Sequence, residues 1–331
     1  MDVTLRIVDD WVRDEVIAQL DERNLGVCIL LGGRPGRASI VYADRGGQRP
    51  RVVVKVADPK VAGANIRREA SALREAHAAL PPEVTSAMPH PLGTLERERF
   101  VALAMSAVLG SRARLPSLVQ QRPNRRDERL LVSHVRSVRS WSRRLAAAST
   151  EATSIQLESS SVGRWAEQFC ATDFVPTAAR DALSSMLADG ALSASWPQVW
   201  QHGDVASGNV LYHRGQVRLV DWEASSSTHP PWHDDAYLLL SLARTVDRTR
   251  TRDGLLRSLS NRSYAGSALS EVYRADWPHP VPLGLALLLT ALQQAGDPDA
   301  TGYTSSHWTQ LAVDLLIDET LRAECEWLVP R

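Results

Sequence analysis

The chain predicts an α+β fold whose strands crowd the N-terminal third and whose helices fill the rest. Three observations carry this. Apolar runs broken by glycine or turn residues recur up to Met105, whereas beyond it apolar residues recur mostly three and four positions apart. A short apolar hairpin pattern returns once, between Val210 and Val220. A length of 331 residues with 44% hydrophobic composition is enough for two parts with cores of their own.

The elements follow in order. From Asp10 to Asp21, Val12, Val16, Ile17 and Leu20 form the stripe of an amphipathic helix. Val27 to Leu31 is a strand-like run that breaks at Gly32-Gly33-Arg34-Pro35-Gly36 and resumes from Ala38 to Tyr42. Strand, glycine turn, strand suits a loop that covers phosphates, because glycine lets backbone N–H groups approach the oxygens. An ordinary hairpin reads the same way, and the run is neither GxGxxG nor a Walker sequence. Val52 to Ala57 then places Lys55 inside an apolar strand. A buried ammonium is costly without a carboxylate or phosphate beside it. Glu69 offers that carboxylate on the helix-like segment Ala64 to Leu73, with Glu75 as a competitor farther along. The plain alternative sets Lys55 on an edge strand in water and Glu69 on a solvated face. Phe100 to Met105 reads as a strand leading to Ser106-Ala107-Val108.

Helical patterns follow at Leu130 to Leu145, Pro176 to Leu187, Ala236 to Ala243, Leu283 to Gln293 and Trp308 to Leu328. Thr150 to Gly163, rich in Ser, Thr and Glu, reads as the flexible stretch.

The most informative segment is QHGDVASGNVLYHRGQVRLVDWE, Gln201 to Glu223. Val210 to Tyr212 and Val217 to Val220 predict two strands joined by a turn at His213-Arg214-Gly215-Gln216. Such a hairpin brings Asn209 and Asp221 to one end, where two oxygen ligands suit a small hard cation that keeps several waters. Asp204 precedes Asn209 by five positions. A carboxylate that aligns a hydroxyl, with an amide oxygen and a second carboxylate for magnesium, is the group set that phosphoryl transfer needs. A surface hairpin with polar ends is the bland alternative.

HGDVASGN followed by VDWE resembles the aminoglycoside phosphotransferase and choline kinase superfamily, and is most similar to bacterial small-molecule or sugar kinases with a QHGD…GN…DWE core. The resemblance implies a two-lobed protein-kinase-like fold. Residues 1–108 would form an ATP-grasping lobe with a five-stranded sheet and a helix. Residues 109–331 would hold the catalytic loop, metal site and acceptor site. It implies Asp204 as catalytic base, His202 as the brace of its loop, and Asn209 and Asp221 as magnesium ligands. Gly32, Gly33, Gly36, Lys55 and Glu69 would serve the nucleotide's phosphates, and Met105 to Val108 its base. ATP or GTP with Mg2+ is the implied cofactor pair. Asp234, in Pro231-Trp232-His233-Asp234, would tie a loop to backbone amides.

Composition excludes some partners. Lys+Arg and Asp+Glu both total 38, so no net charge draws the chain to nucleic acid or a membrane. Cys28, Cys170 and Cys325 are scattered and fit a reducing cytoplasm. No secretory leader pattern opens the sequence, and no apolar run reaches a membrane span. The expected location is the cytoplasm, as a monomer or homodimer. Arginines 112, 122, 125, 126, 129, 136, 139 and 143 could receive an anion, yet a solvated helix face explains them better. His229 and His233 fit hydrogen-bonding roles better than zinc.

The expected partner is a small-molecule hydroxyl acceptor: a sugar, an aminoglycoside or a related natural product. Asp297, Asp299, Asp314, Asp318, Glu319, Glu324 and Glu326 could face a polycation or simply water. Trp232, Trp277 and Trp308 could stack on a sugar ring, though packing is their commoner use. The alternative is a catalytically weak kinase-like module that binds nucleotide or a protein partner, favoured only by the stiff Arg34-Pro35 in the glycine loop.

Overall fold

Alternation of apolar and polar residues builds the sheet of the first part. The computed structural model describes residues 3–20, 25–32, 36–44, 46, 49–113, 125–150, 156–157, 159–189, 196–246, 264–279, 281–295 and 302–318. The chain forms two compact units, Met1–Arg112 with Asn209–Ser226, and Ala113–Gly208 with Ser227–Arg331.

In the first unit α1 (Val3–Trp11) runs into a π-helical turn, Val12–Ile17. Strands β1 (Leu25–Gly32), β2 (Arg37–Asp44), β3 (Pro50–Ala57), β4 (Pro91–Arg97) and β5 (Phe100–Ser106) make one antiparallel sheet in the order β1-β2-β3-β5-β4. Every second residue of β3 is buried at Val52, Val54 and Val56, and these pack with Ile40, Tyr42, Ala102 and Ala104 against Val8, Trp11, Val12 and Val16. The N-terminal helix thus closes one face of the sheet. Between β3 and β4 lie α2 (Gly63–Ala79) and the short α3 (Pro82–Thr85). Leu80 ends α2 in extended geometry before Pro81, as expected of a residue in that position.

The expected hairpin belongs to this unit. β10 (Val210–His213) pairs with β11 (Gln216–Leu219) from Val210↔Leu219 to His213↔Gln216, and β6 (Ser111–Arg112) pairs with β10. Only Arg214 and Gly215 form the turn, with φ of 50° and 77°. Two consecutive positive φ values suit a two-residue hairpin, whose twist they match.

The second unit is mainly helical. It holds α4 (Arg125–Thr150), β7 (Gln156–Leu157), α5 (Ser159–Cys170), α6 (Thr177–Ala188), β8 (Trp196–Pro197), β9 (Val199–Gln201), β12 (Ser226–His229) and α7 (His233–Val246). Helices Tyr264–Ala275, Leu283–Ala295 and Gly302–Ile317 follow among the described residues. Leu131, Val135, Val138, Trp141 and Leu145 form the buried stripe of α4, and Leu285 to Leu289 are buried throughout. Ser159 opens a helix inside the stretch expected to be flexible. The expected C-terminal helix starts earlier, at Gly302, and its residues from 319 onward lie outside the described ones. Among the described residues no helix is long and apolar enough to cross a membrane.

Candidate functional site

Three elements of the first unit meet at one ammonium group. The Lys55 Nζ, on β3, donates to Glu69 Oε1 and Oε2 at 2.7 and 2.6 Å and to Asp221 Oδ1 at 2.6 Å. Glu69 comes from α2 and is fully buried, whereas the Asp221 side chain keeps 35% exposure. Burial pushes the Glu69 carboxyl up, against the pull of Lys55. Burial pulls the Lys55 ammonium down, but the two carboxylates outweigh it and leave it raised. Glu75 is exposed and accepts from Ser71 Oγ, so of the two candidate carboxylates on α2 it is Glu69 that answers Lys55.

Asp221 reaches Lys55 through unusual backbone geometry. It sits at φ 70°, ψ 65°, left-handed space that Asp tolerates better than most residues, and heads the 3-10 turn Trp222–Ala224. The turn is pinned where the Trp222 N–H donates to Glu69 Oε1 at 3.1 Å and its indole N–H to Leu219 O at 3.2 Å. Beside it Arg37 donates to Glu223 Oε2 at 2.7 Å, joining the first residue of β2 to the end of the DWE motif. Asn209 O accepts from Val220 N at 3.1 Å, so Asn209 and Asp221 flank the same end of the hairpin.

The glycine segment is described in part. Gly32 ends β1 opposite Ala38, and Gly33 lies outside the described residues. Gly36 has φ 76°, where any side chain is strained, and a Cβ there would stand 2.9 Å from a Val61 methyl that would have to shift. Met105 is buried within β5 and Val108 half-buried beyond it. The intervening amides of Ser106 and Ala107 are already engaged, by His90 O and Arg51 O at 2.8 Å each.

In the second unit Asp234 organises the HGD segment. Its Oδ2 accepts from His202 N at 2.8 Å and its Oδ1 from Gly203 N at 2.9 Å, while its own N–H donates to Gln201 Oε1 at 2.9 Å. Gly203 at φ 80° lets the chain turn back so that both amides face one carboxylate. The Asp204 N–H donates to His202 Nδ1 at 3.3 Å, which leaves the neutral ring's proton on Nε2. Burial pushes the Asp234 carboxyl up to about 7, and the two amides pull against it. Asp234 therefore ties its loop to backbone amides, as the resemblance implied, and the amides are those of His202 and Gly203.

Asp235 carries a role that the sequence reading missed. It is buried, with Arg139 Nε at 3.3 Å, Arg143 Nε at 3.6 Å and His279 Nε2 at 3.1 Å, and its carbonyl accepts from Tyr273 Oη at 2.7 Å. The Arg139 guanidinium lies 4.3 Å over the Tyr273 ring. Arg139 is only 1% exposed, so the solvated-face reading fails there. Arg139 and Arg143 lie four apart on α4, and that spacing beside an adjacent Asp pair was the only available signal.

The histidine pair is internal. His229 and His233 stack at 4.2 Å, His229 Nδ1 meets Gln293 Nε2 at 2.8 Å, and burial keeps the His233 ring well below its ordinary pKa. Trp232 is fully buried edge-on against Trp196 rather than open to a sugar. Asp314 is buried and accepts from Gln310 at 3.0 Å, while Asp297, Asp299, Glu319, Glu324 and Glu326 lie outside the described residues. Among the described residues no three His, Cys, Asp or Glu side chains cluster to hold a metal ion.

A sequence model described as the phosphotransferase enzyme family matches residues 33–270. No curated protein matches the chain. Among solved structures, an aminoglycoside-3'-phosphotransferase of type VIII aligns with a TM-score of 0.47 at 18% identity, covering 91% of this chain and 98% of that one. The aminoglycoside phosphotransferase APH(3'')-Id from Streptomyces rimosus ATCC10970, in complex with ADP and streptomycin, aligns at 0.45 and 15%, covering 92% and 98%. A further structure of that enzyme aligns at 0.45 and 14%, covering 95% and 98%.

Proposed function

We propose, from the premise that this chain belongs to the phosphotransferase enzyme family, that it moves the terminal phosphoryl group of ATP or GTP onto a hydroxyl of a small molecule. Residues 1–108 grip the nucleotide in this reading, and residues 109–331 supply the acceptor's surroundings.

One observation carries the proposal: an ammonium in a strand held between a helix carboxylate and a hairpin carboxylate. Lys55 positioned by Glu69 is suited to nucleotide phosphates, because the buried carboxylate fixes the ammonium without covering all of its donors. Asp221, released from Lys55 when phosphates take its place, and Asn209 at the same hairpin end present a carboxylate and an amide oxygen. Two hard oxygen donors fit magnesium, which keeps several waters and takes further oxygens from phosphates. Bound there, magnesium would neutralise charge on those phosphates.

Asp204 aligns the acceptor hydroxyl and receives its proton as the bond to phosphorus forms. His202 and Asp234 hold its loop. Most of the rate gain in this scheme comes from positioning and charge stabilisation. The acceptor class is a sugar, an aminoglycoside or a related natural product.

The test is a calorimetric titration of ATP with and without magnesium, followed by incubation with panels of sugars and aminoglycosides and mass measurement of the products. Magnesium-dependent ATP binding and the mass gain of one phosphoryl group on an acceptor are expected. ATP binding indifferent to magnesium, with no acceptor modified, would contradict the proposal.

A further inference from the structure

Helix α2 turns Glu69 inward to Lys55 and turns a row of arginines outward. Arg67, Ala70, Ser71 and Arg74 recur at i, i+3, i+4 and i+7, one stripe along the helix. This stripe faces the outer edge of the sheet, where β4 is the terminal strand and Glu96 of β4 pairs with Val101 of β5. Between them lies a groove of about 530 Å³ lined by Ile66, Arg67, Arg68, Arg74, Glu96 and Val101, among others. That volume falls within the roughly 300–1,000 Å³ range of small-molecule sites.

The groove has a floor and a rim of different character. Ile66, Ala70 and Val101 are buried and form an apolar floor. The rim carries three guanidinium groups and one carboxylate, Glu96. Arg67 is paired with Glu96, and Arg68 donates to Asn65 Oδ1 at 2.8 Å. Arg74 makes no ion pair among the described residues. The lining thus carries three cations and one anion. Guanidinium forks match phosphate or carboxylate oxygens in pairs, and an apolar floor accepts a ring or short chain.

We propose that this groove binds a small anionic molecule, a phosphate-bearing compound with an apolar body, and that its occupation raises the affinity of the chain for nucleotide. The anionic head lies against Arg68 and Arg74 and the apolar body on Ile66, Ala70 and Val101. Such a ligand bridges α2 to the β4–β5 edge. Glu69 stands in the chain between Arg68 and Ala70, so restraining this stretch of α2 also restrains the carboxylate that orders Lys55. A ligand that prefers the arrangement with Glu69 on Lys55 shifts the population toward it, and nucleotide must in turn tighten that ligand by the same factor. The coupling rests on the nucleotide reading above, whereas the binding itself does not.

Phenyl phosphate is a suitable probe, with phenol as the uncharged control. Its binding to the full chain is measured by calorimetry in EDTA without nucleotide, on wild type, on Arg68→Ala/Arg74→Ala and on Lys55→Met. Saturable binding of phenyl phosphate but not phenol is expected, weakened at least tenfold in the double arginine variant and, in Lys55→Met, by no more than the several-fold coupling factor. ATP affinity, measured with magnesium, should rise several-fold in wild type at saturating phenyl phosphate and stay flat in the double variant. Absence of saturable binding, equal binding to the double variant, or a loss in Lys55→Met as large as in the double variant would each overturn the site. Binding that leaves ATP affinity unchanged would overturn the coupling. A wild type that binds phenyl phosphate in the groove but no ATP would count against the nucleotide reading and leave the site standing.

Discussion

Replacing Lys55 by methionine keeps most of the apolar stem and removes the ammonium that Glu69 and Asp221 share. The two carboxylates fare differently. Asp221, at 35% exposure, has water to turn to, while fully buried Glu69 keeps only the Trp222 amide. Glu69 then has one escape, which is to take up a proton. From its ordinary value of 4.5, holding a proton at pH 7 costs about 3.4 kcal/mol, at about 1.36 kcal/mol per pH unit. At pH 5 the same step costs about 0.7 kcal/mol. That ceiling agrees with the roughly 3–5 kcal/mol typical when one member of a buried pair is removed.

The sign follows from linkage. In the variant the folded Glu69 keeps a proton that the unfolded chain has lost above pH 4.5. The variant therefore gains stability relative to wild type as pH falls toward that value. Urea titrations at several pH values between 5 and 8, read by hydrogen exchange at the amides of β3 and α2, measure the gap. A deficit of about 3 kcal/mol at pH 7 that narrows below 1 kcal/mol at pH 5 is expected. A deficit that ignores pH, or one under about 1 kcal/mol at pH 7, would refute the reasoning.

Asp234→Asn sets an amide NH2 against one of the two backbone N–H groups that the carboxylate now accepts, a loss of about 1–3 kcal/mol. Wild-type Asp234, pushed up to about 7, keeps its proton between its ordinary 3.8 and that value, so its contribution falls as pH rises through this window. Thermal melts across pH should show that slope in wild type and lose it in Asp234→Asn. Arg139→Met should cost about 3 kcal/mol, because Arg143 and His279 remain beside Asp235. Asp235→Asn in the same chain should recover part of it, as a double-mutant cycle would reveal. For the Arg37–Glu223 pair, Arg37→Glu or Glu223→Arg alone should raise the KM for ATP several-fold. The exchanged double variant should restore it, and steady-state kinetics would expose any failure to do so.

How much of this was readable depends on whether the signal is local. The β10–β11 hairpin was legible because alternating apolar residues and Gly215 specify register within a few positions. Lys55 was legible because an ammonium inside Val52 to Val56 demands a partner, but the helix offered both Glu69 and Glu75, and only tertiary packing selects Glu69. β4 went unread as a strand because it is an edge with one buried residue, Leu95, among exposed Thr94, Glu96 and Arg97. α5 was hidden by its serine-rich start at Ser159. Arg139 and Asp235 carry no local mark beyond the four-residue spacing to Arg143 and the adjacent Asp pair. Their burial is set by how α4 and α7 pack, and an arginine on an amphipathic helix reads as solvated until its partner is known. The left-handed backbone of Asp221, which aims its carboxylate at Lys55, is likewise a tertiary outcome.

The central claim, that this chain performs phosphoryl transfer with Asp204 as its base, is tested most directly by Asp204→Asn. Magnesium-dependent release of ADP in the presence of an accepted hydroxyl compound should fall by at least a hundredfold, the order expected for general-base catalysis, while ATP binding measured on the same sample stays within about twofold of wild type. An undiminished rate in Asp204→Asn, with ATP bound as before, would contradict the account.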